Sequence, residues 1–394
     1  MLAGTYTPPP DCPPVLCDLL TLCKQPELPP DTPSCPRFIT TEDNHLAWKS
    51  ANEHTQAGMS GITFAMYKAC ALDPELCAMD ASSRNLAYYT GFAYKRWKSG
   101  LNAMLEKIMG NFWLRKLRTI LLLEADGNMN FKKLSRDLMW VAEQAGLMVD
   151  GNYGGRKRHR AIEASLDFRL TNDLLRQKRK AAFLASTDAQ GCFDRIVHSI
   201  AFLCLRRAGM HKAPITSMIE TIQQMTHHVR TAFGDSDASY GFDPENPDAV
   251  PNQGLLQGNG AATTGWNAIV TLLIQMLLDA GYGLKMWSAI CAEAIKMVCV
   301  NFVDDQTLAH GGPTNFTSGE AVFADAQAML DYWEAALRAT GGAVAHDKSY
   351  WYLIDFHWNG SSWQYRPKSS MPGDLYSRPV GLRPAHGHCG TSWP

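Results

Sequence analysis

The chain has 394 residues, 46% of them apolar and 19% charged, a balance that excludes a largely disordered protein and leaves room for two or three compact units. The net charge of −1 is unevenly spread: residues 95–180 hold nineteen Lys and Arg against nine Asp and Glu, a local +10, which leaves the remainder acidic and points to a polyanion surface or a pair of solvated basic helices. Eleven cysteines do not make a disulfide framework, and Cys12, Cys17, Cys23 and Cys35 lack the tight Cys-x2–4-Cys pair of most zinc sites. The start MLAGTYTPPPDC has no basic, apolar leader, and the longest apolar run, residues 268–278, is too short to cross a bilayer. The expectation is an intracellular, non-secreted protein with no membrane partner; nucleus or cytoplasm, and oligomeric state, stay open.

Residues 1–36 contain ten of the 21 prolines, so 1–44 reads as an irregular arm. The stretch 45–110 carries aromatic, helical patterns, among them NHLAWKSANEHTQAGMSG and YYTGFAYKRWKSGLNAMLEKIMG. KLRTILLLEAD (116–126) has a strand-like centre, KKLSRDLMWVAEQAGL (132–147) an amphipathic helical pattern, and residues 156–180 a long helix with basic ends. AAFLASTD (181–188) is an apolar run ending in an acid, the pattern of a buried strand with a carboxylate at its tip. A helix follows at 195–209, then Gly- and Pro-rich loops or a hairpin over 234–260 and an apolar helix at 265–281. MVCVNFVDDQTLAHGG (297–312) reads as strand, tight turn, strand; 321–342 is a helix closed by glycine, and KSYWYLIDFHW (348–358) a final strand or hairpin. The units are an arm at 1–44, a basic unit at 45–180, an acid-bearing unit at 181–360 (residues about 210–253 returning to the basic one) and a tail at 361–394. The fold class is α+β.

Asp188 at a strand tip and Asp304–Asp305 at a hairpin turn are the acids most suited to chemistry. Crowded carboxylates repel one another, and a divalent cation resolves the repulsion while keeping positions for water and substrate phosphate. Brought together, Asp188 and Asp304 suit two metals about 3.5–4 Å apart, the arrangement for in-line displacement at phosphorus. An isolated Asp-Asp pair is otherwise an ordinary polar turn.

STDAQGCFDRIVH (186–198), GLLQGNG (254–260), NFVDDQTLAH (301–310) and HDKSYW (346–351) occur in the order of the palm motifs of reverse transcriptases, and the chain resembles that family, non-LTR-like retroelement polymerases in particular. KLRTILLLEAD and NYGGRKRHRAIEASL (152–166) resemble its fingers motifs. The spacings agree: 69 residues from Asp188 to Gln257 and 47 from there to Asp304. The sequence departs from the family at Phe302, where tyrosine is usual, at Asn152 and Gly155 in the Gln-x-Gly-Phe fingers motif, and at Asn259-Gly260-Ala261 after the Gln-Gly turn.

The resemblance implies a fingers-and-palm fold and template-directed DNA synthesis, RNA-templated, with an RNA or DNA template, a primer and dNTPs as partners. It implies two Mg²⁺ ions, with Mn²⁺ an alternative, held by Asp188, Asp304 and the Ala189 carbonyl, with Asp305 in support. Lys348 is the implied general acid toward pyrophosphate. Phe193 is the implied gate against a ribose 2′-hydroxyl, Lys116 and Arg118 contact triphosphate, and Gln257 and Gly258 approach the nascent base pair. Arg156, Lys157, Arg158 and Arg160 would touch template backbone. Trp351, Tyr352 and Trp358 read equally as a primer-contacting hairpin or as core, and Asp194 as a helix cap. Two alternatives stand: a truncated retroelement remnant that binds nucleic acid without chemistry, since 361–394 is short for a thumb, and an RNA-dependent RNA polymerase, though such enzymes usually carry an aspartate near the place of Phe193.

Overall fold

The computed structural model describes residues 1–370 except 57, 247, 289–292 and 315–316, and beyond these only 376–377, 380–381 and 383–384, so most of the tail lies outside the described residues. The fold is α+β. In chain order it runs α1 (Pro14–Leu22), α2 (Thr41–Lys49), α3 (Phe64–Cys70), α4 (Pro74–Thr90), β1 (Ser99–Glu106), β2 (Leu117–Leu122), α5 (Ala125–Gln144), α6 (Ala161–Lys178), β3 (Ala182–Asp188), α7 (His198–Arg207) and α8 (Lys212–Gln223). There follow β4 (Thr226–Thr231), β5 (Gly234–Gly241), α9 (Ala262–Asp279), β6 (Leu284–Ser288), β7 (Glu293–Met297), β8 (Cys299–Phe302), β9 (Asp305–Gly311), α10 (Gly319–Ala339), β10 (Tyr350–Ile354), β11 (Phe356–Trp358) and β12 (Trp363–Tyr365).

Two sheets organise the molecule. One has the order β2-β1-β4-β5, with β4 returning from far along the chain, beyond α8, to pair in parallel with β1. The other has the order β10-β3-β9-β8, all antiparallel, with Arg383–Pro384 added at the β10 edge. Its centre, β3, is buried from Ala182 to Ala185, as its unbroken apolar run requires. The apolar α9 is buried along almost its whole length and packs against α1, α5, α7 and α10. Residues of the sheet and of these helices share one large core. Among the described residues no helix is long and apolar enough to cross a membrane.

Three expectations need correction. The arm at 1–44 is not irregular throughout: α1 starts with proline at its first position, where the missing N–H costs nothing, and buries Leu19, with Cys23, Cys35 and Ile39 continuing into the main core. Residues 99–106, read within a helical region, are β1; good helix formers there yield to pairing with β2 on one side and β4 on the other. The helix expected over 156–180 begins only at Ala161, because residues 156–160 make a turn in which Arg158 takes φ +67°.

Candidate active site

β3 and the β8–β9 hairpin bring the acids together. In the register Asp188 lies directly opposite Asp305, and Phe302 pairs with Asp305 across a two-residue turn, Val303-Asp304. Directly opposed residues put their side chains on one face of the sheet, with Cβ atoms about 5 Å apart. The Ala189 amide donates to the Asp304 carbonyl at 3.3 Å, so the chain leaving β3 stays tied to the turn. Asp305, rather than Asp304, is therefore Asp188's cross-strand neighbour, a point that spacing in the sequence leaves unresolved. Burial pushes the Asp305 carboxyl up, and the charges of Asp304 and then Asp188 push it further, against Lys348. The Cys192 thiol is raised to about 12, by burial first and then by Asp304, Asp194 and Asp188. The three strand-end carboxylates thus stand within Coulombic reach of one another.

Lys348 supplies a counter-charge. Its Nζ donates to Asp188 Oδ2 at 2.9 Å, and that bond raises the lysine above its ordinary value. Ser349 fixes the backbone beside it: its hydroxyl accepts from the Asp188 amide at 3.2 Å and donates to the Ala345 carbonyl at 2.8 Å. Residues 188–190 and 343–345 zip together through Ala345 N–H to Asp188 O and Gln190 N–H to Ala343 O, both 2.8 Å.

The turn that carries Asp304 is held under strain. Val303, a β-branched residue, takes φ +60°, a conformation that costs roughly 1–2 kcal/mol in an L residue. Its carbonyl accepts from Trp266 Nε1 at 2.5 Å and from Gln306 Nε2 at 3.3 Å. A glycine-rich loop backs the hairpin: Asn301 N–H donates to Gly151 O at 2.7 Å, and Tyr153 N–H donates to Asn301 O at 2.8 Å. The Asn301 side-chain amide donates to Asn152 Oδ1 at 2.8 Å with both residues fully buried. Asn152 thus serves as a brace for β8.

A second set of contacts joins the remaining sequence-predicted residues. Leu255 N–H donates to Phe193 O at 2.6 Å, the Gln257 amide donates to the Asp194 carboxylate, and Leu121 N–H donates to Gln257 O at 2.8 Å. The turn at 254–260 therefore bridges the chain after β3 to strand β2, which carries Arg118. Gly258 sits at φ +119°, and any Cβ there would collide with the Leu121 carbonyl oxygen. Asn128 clamps the same turn, donating to Gly258 O at 3.2 Å and accepting from Gly260 N–H at 2.8 Å. Arg118 is exposed on β2, and Lys116 is exposed just before it; Phe193 is half-buried with one side against the core.

Two roles expected from sequence are displaced. Asp194 does not cap α7, whose N-cap is Val197; its carboxylate takes the Gln257 amide instead, and burial raises its pKa. Arg156 is not available to a template backbone: its side chain is 7% exposed, pairs with Glu143 at 2.7 and 2.9 Å, and donates to the Val149 and Asn152 carbonyls at 3.1 and 2.6 Å. Lys157 and Arg160 remain exposed, and Arg158 lies between them in the same turn. Trp351 is core at 2% exposure, whereas Trp358 is exposed on β11. Removing Arg156 as Arg156→Ala takes the partner from Glu143 and from the Asn152 carbonyl, and we expect a loss of about 2 kcal/mol, read as a lower urea midpoint with unchanged slope.

Among the described residues no three His, Cys, Asp or Glu side chains close a metal cage by themselves. An open site of two or three carboxylates fits Mg²⁺, which binds through one or two carboxylates and keeps its other positions for water and phosphate, though Lys348 on Asp188 Oδ2 competes with it for that oxygen. Ala189, whose carbonyl is the further ligand expected from sequence, lies between Asp188 and Gln190, both tied to residues 343–345, with its amide on the Asp304 carbonyl. Compared with family models and with curated proteins, the chain finds no match in either.

Proposed function

We propose that the chain is a template-directed DNA polymerase of reverse-transcriptase type, acting on an RNA template. The observation that carries the reading is the meeting of Asp188, Asp304 and Asp305 at the end of one sheet with Lys348 on Asp188. In this reading the β10-β3-β9-β8 sheet is the palm, and the β2-β1-β4-β5 sheet with α5 is the fingers.

Asp188 and the two hairpin acids would hold the two Mg²⁺ ions, with the Ala189 carbonyl as a further ligand. When bound there, the ions would supply Lewis-acid chemistry, activating a primer 3′-hydroxyl and offsetting the charge of the departing pyrophosphate. Lys348, within hydrogen-bond distance of Asp188, is placed to give its proton to the leaving pyrophosphate once Asp188 turns to the metal. Arg118 and Lys116 bind the triphosphate through charge-assisted hydrogen bonds. The turn at Gln257-Gly258 brings backbone against the nascent pair, because Gly258 has no side chain to obstruct it. Phe193 excludes a ribose 2′-hydroxyl. Lys157, Arg158 and Arg160 contact template phosphates without reading sequence.

Primer extension with the full chain, Mg²⁺ and an RNA template tests the reading: dNTPs extend the primer and rNTPs do so poorly. Phe193→Ala raises the ratio of kcat/KM for rNTP over dNTP by about tenfold, the scale expected when a small steric exclusion is removed. No extension with either nucleotide sinks the assignment, and a preference of the unaltered chain for rNTPs assigns it to RNA synthesis.

A further inference from the structure

Two clefts flank the C-terminal end of α6. They lie where β3 enters its sheet at Ala182, six residues from Asp188, or about 20 Å along a strand. The first, about 430 Å³, opens between α6 and the β6–β7 hairpin; Leu175, Met286 and Trp287 form apolar wall, and Lys178, Lys180 and Lys285 supply positive charge. The second, about 590 Å³, opens between α6 and the β11–β12 hairpin and is lined by Arg176, Arg179, Phe356, Trp363 and Tyr365, with Asp173 as its acid.

A helix C-terminus attracts cations, which accounts for Arg176 and Lys178 in the last turn of α6. It does not account for Lys180 and Lys285, which belong to different elements. Lys180 is 4% exposed and donates to the Lys285 carbonyl at 2.8 Å. Burial and then the Lys285 charge lower its pKa, a cost that a bound anion relieves. Among the described residues no carboxylate lines this first cleft, and in the second Asp173 is held by Arg176 at 3.3 Å. Each cleft also presents an indole: Trp287 is 63% exposed, and Trp363, 46% exposed, already carries the Arg179 guanidinium 5.3 Å from its ring centre and the Trp358 ring at 5.8 Å, so a base there would stack on an Arg179–Trp363 pair.

Cations on a ridge with an aromatic face on either side suit a strand whose phosphates follow the ridge and whose bases stack in the clefts. We infer that a single strand of nucleic acid binds across the end of α6, its phosphates on Lys178, Arg179 and Lys285 and its bases on Trp287 and Trp363. An acidic peptide would use the cations and leave Trp287 without a partner. The site is separate from the carboxylates and does not depend on the proposed chemistry.

The test uses the full chain carrying Lys157→Ala, Arg158→Ala and Arg160→Ala, so that binding at that turn does not mask the result. Fluorescence anisotropy with a labelled twelve-nucleotide oligo-dT or oligo-U is followed against salt. Adding Lys178→Ala and Lys285→Ala weakens binding about tenfold or more at low salt and reduces the slope of log affinity against log salt by about 0.7 for each lost phosphate contact. Trp287→Ala weakens binding about tenfold and leaves the slope alone, as loss of one stacked base predicts. Ultraviolet cross-linking places the oligonucleotide on the peptides containing Trp287 or Trp363. The melting temperature of each variant serves as a check on folding. Unchanged affinity in both variants overturns the inference, as does a thymidine monophosphate that binds as tightly as the twelve-mer.

Discussion

Asp188→Asn and Asp304→Asn each reduce nucleotide addition by about 10³-fold or more, a rise of roughly 4 kcal/mol in the barrier. The fold tolerates both changes. Asp188 gives up only its bond to Lys348, which is itself 63% exposed, and exposed pairs contribute about 0–1 kcal/mol. Each substitution also removes one of the like charges that raise Asp305, so neither lowers the melting temperature in the absence of metal. Mg²⁺ provides a readout independent of activity. A cation that binds the folded chain alone raises the melting temperature of the unaltered protein in proportion to the logarithm of its concentration, and raises it less in either variant. Near-normal extension by either variant removes these acids from the chemistry. Equal Mg²⁺ stabilisation of all three proteins removes them from the metal site.

The acids themselves were legible because each follows a short, largely apolar stretch, which marks a strand and its tip without reference to the rest of the chain. Their pairing was not. Whether Asp188 faces Asp304 or Asp305 depends on strand register, and a shift of one residue reverses every side chain. The bracing residues were equally out of reach. Asn152 and Asn301 are 149 residues apart and look like two ordinary polar residues until burial and one side-chain hydrogen bond make them a pair. Asn128, in the first turn of α5, has nothing local to link it to Gly258 and Gly260. Arg156 stands in a run of cations read as touching template backbone, and only the position of Glu143 on the end of α5 turns it inward. The α1 helix was obscured by its prolines, although Leu16, Leu19, Leu20 and Cys23 carry a helical stripe that proline at the first position does not disturb. Local pattern therefore revealed the elements that bear chemistry, whereas the contacts that aim them came from residues far apart in sequence.

Gly154→Ala reduces extension by about 10²-fold with the chain still folded, although residue 154 touches neither acid. The position has ordinary backbone angles, so alanine brings no conformational strain of its own. Its Cβ, however, would collide with the Val303 amide nitrogen and lie 2.8 Å from the Val303 methyl and 3.0 Å from the Phe302 carbonyl carbon. These are hairpin backbone and a turn already held at φ +60°, and neither can rotate out of the way as a flexible side chain would. The glycine loop is anchored on its other side, where Asn267 donates to the Gly154 carbonyl at 2.7 Å. The hairpin is therefore the part that moves, carrying Asp304 and Asp305 with it. A displacement near 1 Å at a reacting centre costs about 10²-fold in rate. Gly61→Ala is the matched control: that glycine lies at φ +72° with no atom within 4 Å of the place an alanine methyl would take, so it has a backbone cost but no push on the hairpin. Extension lost in Gly154→Ala and kept in Gly61→Ala, with similar melting temperatures, places the effect in the position of the carboxylates. Equal activity in the two variants shows that the loop yields before the hairpin does and that Asn152, Tyr153 and Gly154 brace nothing the reaction needs.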